Sequence, residues 1–161
     1  MERNSLPFET ASGLIREARR SDIGQIVEMV AMLASHHGDT SGLTADILAR
    51  DAFGATPWIH LLVAEVDGVT AGYAALFRLV RLHFGTRGLD LHHILVKSDF
   101  RGRGVGVALV DACKIKARED ACSFLQLATD ADNLKAQAFY TALGFERLQT
   151  FPPRFVLQID G

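Results

Sequence analysis

The chain has 161 residues, 48% of them hydrophobic and 22% charged, with a formal net charge of −2. That length can bury a core without staples and suits one domain, while the weak negative charge speaks against a broad nucleic-acid or anionic-membrane surface, which relies on a strong positive field. The two cysteines, Cys113 and Cys122, make no disulfide framework and lack the spacing of a zinc or redox pair.

The first twelve residues, MERNSLPFETAS, hold no apolar run of signal-peptide type and read as an extended or disordered lead to a single domain over 13–161 of a cytoplasmic protein. LIREA follows as a strand. Ser21 or Asp22 can cap a helix whose apolar residues Ile23, Ile26, Val27, Val30 and Leu33 fall at helical spacing, ending near His36 and His37 before Gly38. Those histidines suit a helix C-terminus, where the dipole favours them. TADILARDAF is a second helix, with Thr44 as its cap and Gly54 and Pro57 closing it.

WIHLLVAEV and VTAGYAALFRLVRL, joined by Asp67-Gly68, form a hairpin with a type I′ turn. FGTRG makes a second reversal, and DLHHILV returns as a strand apolar on both faces, as inside a covered sheet. Val105, Ala108, Leu109, Ala112 and Cys113 then trace one face of a helix. SFLQLAT is a strand, DNLKAQAFYTALGF a helix capped by Asp132 or Asp130 and terminated by Gly144, and RFVLQI a final strand after Pro152 and Pro153. The order predicts an α/β fold with a mixed, mostly antiparallel central sheet and helices on both faces.

The stretch DFRGRGVGVALV places Gly102, Gly104 and Gly106 at the start of a helix, where glycine is unfavourable by roughly 1 kcal/mol each. Unpaired N–H groups at the positive end of the helix dipole make a phosphate seat. Missing Cβ atoms let a diphosphate approach it, and Arg101 and Arg103 supply forked donors. The loop lacks the Gly-Lys-Ser/Thr ending of a Walker A motif, and its G-x-G-x-G spacing departs from the dinucleotide fingerprint, which stays as an alternative.

The run Arg101 to Gly106, R-x-x-G-x-G in form, resembles the acyl-CoA signature of the GCN5-related N-acetyltransferase (GNAT) superfamily. Asn133, Ala136, Phe139, Tyr140 and Leu143-Gly144-Phe145 are similar to its N-x-x-A-x-x-F-Y-x-x-x-G-F segment. The likeness spans Leu14 to Ile159 and is nearest to the diamine (spermidine/spermine-type) acetyltransferases, with His92 where those look acidic. It implies acetyl-CoA as cosubstrate and no metal, and a small-molecule or peptide amine as acceptor. No nucleic-acid or membrane partner is implied, and a homodimer is left open.

The resemblance also implies that Ile94, Leu95 and Val96 hydrogen-bond the pantetheine arm along their strand. Arg101, Gly102, Arg103, Gly104, Val105, Gly106 and Val107 would hold the diphosphate, and Asn133, Ala136 and Phe139 would complete the cofactor site. Tyr140 is the implied proton donor to the departing thiolate and His92 the base. As neighbours on a strand, His92 and His93 are expected to point to opposite faces, so that only one serves the cleft. A sensor that binds acyl-CoA without turnover remains a second reading.

Overall fold

The computed structural model describes residues 5–149 and 153–159, and the chain divides into two compact units, Met1–Ala128 and Thr129–Gly161. The first unit holds one six-stranded sheet in chain order: β1 (Phe8–Thr10), β2 (Gly13–Glu17), β3 (Ile59–Val66), β4 (Val69–Arg81), β5 (Thr86–Val96) and β6 (Phe124–Gln126). All neighbours run antiparallel except β5 and β6. That parallel pair needs a long crossover, supplied by the helix Val105–Glu119. Two helices, α1 (Ile23–His36) and α2 (Ala45–Phe53), lie between β2 and β3, so the crossover helix is α3. The mixed, mostly antiparallel sheet with flanking helices is the fold class the sequence predicts.

Local chemistry accounts for the element ends. The Thr44 side chain accepts the Ile47 N–H at 3.2 Å and starts α2, a cap worth about 1 kcal/mol. Asp67 and Gly68 both have positive φ, 51° and 75°, the geometry of the two-residue I′ turn between β3 and β4. Asp22 precedes α1 without capping it through its side chain. Its carboxylate instead accepts from Arg16 at 2.8 and 3.0 Å and from the Arg19 amide at 2.6 Å. Burial opposes charge on Asp22, yet the Arg16 guanidinium and the Arg19 amide hold its carboxyl below the usual carboxylate range.

Alternation along the strands divides the core between two faces. Leu61, Val63, Tyr73 and Ala75 pack with Ile26, Met29 and Leu48 of α1 and α2. Gly72, Ala74 and Leu76 point the other way, and a Cβ on Gly72 would lie 3.3 Å from Leu109 of α3. The helical face Val105, Ala108, Leu109, Ala112 and Cys113 is buried as its spacing predicts. Each large aliphatic side chain so buried contributes about 1.5–3 kcal/mol.

The structure differs from the sequence reading at several edges. The lead is not all irregular: Phe8–Thr10 pairs with β2, Phe8 opposite Ile15, because β2 presents an edge that the lead can reach. β5 starts at Thr86, earlier than DLHHILV, and β6 is three residues rather than all of SFLQLAT. In the second unit α4 (Leu134–Ala142) is capped by Asn133, whose Oδ1 accepts the Ala136 N–H at 3.1 Å; the cap is neither Asp130 nor Asp132. Pro152 lies outside the described residues. From 153 to 159 there is no strand, and Phe155 is 96% exposed and Leu157 81%. RFVLQI has strand-forming side chains, but β-propensity is realised only against a neighbour, and among the described residues it has no strand partner.

Candidate active site

Strand β5 carries the distinctive geometry. Its register against β4 matches Ala75 with His93 and Leu76 with Leu91, leaving His92 as an extra residue. Such a β-bulge breaks the alternation that would send adjacent side chains to opposite faces. The two imidazoles stack, with centroids 4.4 Å apart and planes 11° from parallel, and His92 also stacks on Phe77 at 4.3 Å. Both histidines line the same cavity. The expectation that the two side chains point to opposite faces is therefore overturned, and the bulge is the reason.

The environments of the two rings differ. His92 is exposed, while His93 is partly buried and hydrogen-bonded through Nδ1 to the Tyr73 hydroxyl at 3.1 Å. Burial pushes the His93 pKa down to about 4, helped by repulsion from His92 and His37. Burial likewise raises the Tyr73 phenol, so it keeps its proton. Tyr73 is fully buried, and Nδ1 of His93 is the acceptor its hydroxyl has among the described residues. The phenol thus donates to Nδ1 and leaves the ring hydrogen of His93 on Nε2. His93 is a fixed donor, and His92 is the imidazole of the pair without such a lock.

The cavity has a volume of about 680 Å³, within the range of small-molecule pockets. Val30 of α1 and Leu48 of α2 form one wall, with Ile59, Leu61 and Phe77 of the sheet opposite; Arg50 and Asp51 also line it. Apart from the histidines, nothing in the sequence marks these residues as belonging to a site, since each reads as core or helix surface. Tyr73 is likewise indistinguishable there from any aromatic on a buried strand.

Beyond the histidines β5 has an open side. Its pairing with β6 covers only Gly88 to Asp90, opposite Phe124 to Gln126, while its pairing with β4 continues to Val96. The junction is anchored by the Phe124 ring, which lies over Gly88 where a Cβ would come within 2.2 Å, and by Gln126 Nε2 donating to Asp90 at 3.0 Å. Among the described residues no strand covers Leu91 to Val96 on that side. Ile94, Leu95 and Val96 therefore lie along a one-sided edge.

The edge leads to the glycine loop. Gly102 and Gly104 have φ of 73° and 80°, a left-handed conformation that favours glycine. Gly104 is the cap residue of α3 and provides no side-chain cap, and Val105, Gly106 and Val107 form the first turn, so their N–H groups meet the orphan-donor condition of a helix start. The Ser12 hydroxyl donates to the Arg103 carbonyl. Arg101 and Arg103 are exposed; Arg101 Nε donates to the Val96 carbonyl at 3.0 Å, tying loop to strand, and Arg103 lies 5.6 Å from the Phe100 ring.

In the second unit, Tyr140 is 9% exposed and meets Phe139 and Phe145 edge-on, with centroids 5.2 and 5.6 Å away. Asn133 serves as the helix cap, with Ala136 as its partner. Among the described residues no group of three His, Cys, Asp or Glu side chains is placed to hold a metal, and no helix is long and apolar enough to cross a membrane.

Comparison with known proteins settles the family. The profile of the acetyltransferase (GNAT) family matches residues 25–145, from within α1 to the end of the α4 segment. The chain belongs to the GNAT acetyltransferases. Thialysine N-epsilon-acetyltransferase of Sus scrofa is 33% identical over 144 residues, 83% of this chain and 84% of its own length. Spermidine/spermine N(1)-acetyltransferase-like protein 1 of Homo sapiens is 27% identical over 139 residues, 81% of this chain and 20% of that longer protein. A crystal structure of a probable acetyltransferase shares the fold with a TM-score of 0.77 at 20% identity, over 91% of this chain and 99% of the other. The resemblance to diamine acetyltransferases read from the glycine loop and the NLKAQAFY segment stands, and this GNAT chain is an acetyltransferase.

Proposed function

We propose that this GNAT enzyme moves the acetyl group of acetyl-CoA to a primary amine of a small molecule or peptide by direct attack. One observation carries the assignment: β5 has an open side from Leu91 to Val96, ends at a glycine-lined helix start, and bulges two imidazoles into a cavity. The loop suits a diphosphate, since Gly102 and Gly104 place no Cβ in front of the uncapped N–H groups of Val105, Gly106 and Val107. Ile94, Leu95 and Val96 offer backbone groups to an extended pantetheine arm. A match running from residue 25 to 145 supports treating 13–161 as one working domain. Cys113 and Cys122 are both free thiols, which agrees with a reducing cytoplasm.

In this mechanism His92 takes the proton of the attacking amine, directly or through water, and a β5 N–H near Val96 donates to the oxygen that gains charge. His93, kept neutral by burial and bonded to Tyr73, leaves His92 as the member of the stacked pair that takes the proton. Tyr140 gives its proton to the leaving sulfur. Thiol release at saturating substrates tests the last step. Tyr140→Phe keeps the ring packing and should lower kcat by roughly 10²- to 10⁴-fold, with acetyl-CoA affinity retained; full activity would remove the tyrosine from the chemistry. Calorimetry tests the loop: Gly104→Asp should abolish acetyl-CoA binding, and normal binding would place the diphosphate elsewhere.

A further inference from the structure

Which amine this site accepts can be read from the cavity wall, given the acetyltransferase reading above. Among the described lining residues the only side chains of fixed charge are Arg50 and Asp51. Arg50 Nε and Nη2 donate to the two oxygens of Asp51 at 2.7 and 2.9 Å, so each already has its counter-charge. The remaining polar groups are Tyr73, His92, His93 and the uncharged indole N–H of Trp58. Tyr73 and His93 are neutral and bonded to each other, and burial with a repelling neighbour keeps His93 uncharged down to about pH 4. Elsewhere the wall is hydrocarbon: Val30, Leu48, Ile59, Leu61 and Phe77.

A chain bearing several ammonium groups would need carboxylates along its length, because burying an unpaired cation is strongly unfavourable. Asp51 is the only carboxylate among those lining residues, and it is paired. A hydrocarbon body, by contrast, gains from leaving water for such a wall. We propose that the acceptor is a monoamine with an uncharged hydrocarbon body, a ring or an aliphatic chain, seated on Val30, Leu48, Ile59 and Phe77 with its amine toward His92. This distinguishes the chain from the polyamine and thialysine acceptors in the names of its relatives.

The test uses the full chain with acetyl-CoA and compares kcat/KM by thiol release for n-propylamine through n-hexylamine with the α,ω-diamines of the same lengths, spermidine and thialysine. Each methylene taken from water is worth roughly four-fold, so the monoamine series should climb by about that factor per carbon. The diamines should stay flat and at least about ten-fold below the hexyl monoamine. Spermidine or thialysine as the best acceptor, with a flat monoamine series, would overturn the inference while leaving acetyl transfer intact. If no amine is acetylated, the acetyltransferase reading fails separately, and calorimetry then decides the cavity: hexylamine binding without 1,6-diaminohexane binding supports it, and absence of hexylamine binding overturns it. Val30→Glu, at a partly exposed position, and Trp58→Glu, at a lining residue 79% exposed, should each shift preference toward diamines by about ten-fold or more, with folding checked by circular dichroism. Unchanged preference in both folded variants would also overturn it.

Discussion

Replacing Gly72 by alanine probes how firmly β5 is held. Gly72 lies opposite Val96 in the β4–β5 register. A Cβ there would fall 2.6 Å from the Leu95 carbonyl oxygen, about 0.8 Å short of the 3.4 Å at which ordinary contact begins, and 3.3 Å from both the Val96 Cα and a Leu109 methyl. The Leu109 methyl can rotate away; the carbonyl is part of the sheet and cannot. Relief therefore requires β5 to move near Leu95 and Val96, where the proposed pantetheine contacts lie. Overpacking of this kind costs about 1–3 kcal/mol, so Tm should fall by roughly 2–12 °C for a chain of this size. A shift approaching 1 Å at a positioning strand can cost up to about 100-fold in rate, so kcat/KM for acetyl-CoA should drop by roughly 10- to 100-fold. Differential scanning calorimetry and steady-state kinetics on the same preparation measure both effects. A lowered Tm with unchanged kcat/KM would show that β4 or α3 absorbs the methyl, refuting the link between this contact and the cofactor strand.

Two further substitutions have defined outcomes. The His93 pKa is lowered from 6.5 to about 4 on folding, so between those values the unfolded chain binds a proton that the folded chain does not. Stability should therefore fall as pH drops from 6.5 toward about 4, and urea unfolding of His93→Gln should lose that part of the slope; an identical slope in the variant would show that His93 does not set it. Gly24, exposed in α1 with nothing within 4 Å of a built Cβ, should become alanine with a gain of about 0.5–1 kcal/mol, measured by the same unfolding, and a loss would reveal an unseen constraint on that turn.

The features that followed from sequence alone are those whose partners lie a few residues apart. Thr44 caps α2 because Ile47 is three residues away, and Asp67-Gly68 turns the chain because both residues reach positive φ. The glycine loop at the start of α3 is equally local: conformational freedom and orphan amides belong to the same six residues. Family resemblance could be read there for the same reason.

Tertiary pairing decided the rest. That His92 and His93 share one cavity depends on an extra residue in β5, visible only in its register with β4. Among the described residues, Leu91 to Val96 lack a strand partner on that side because β6 stops at Gln126, and no residue in either strand announces where their pairing ends. Phe8–Thr10 became a strand against β2, while RFVLQI, richer in strand-forming residues, has no strand partner among the described residues. A strand is completed by a neighbour distant in sequence, and side-chain alternation holds only while that pairing is regular. Edges, bulges and the cavity walls they shape therefore emerge only when the distant segments meet.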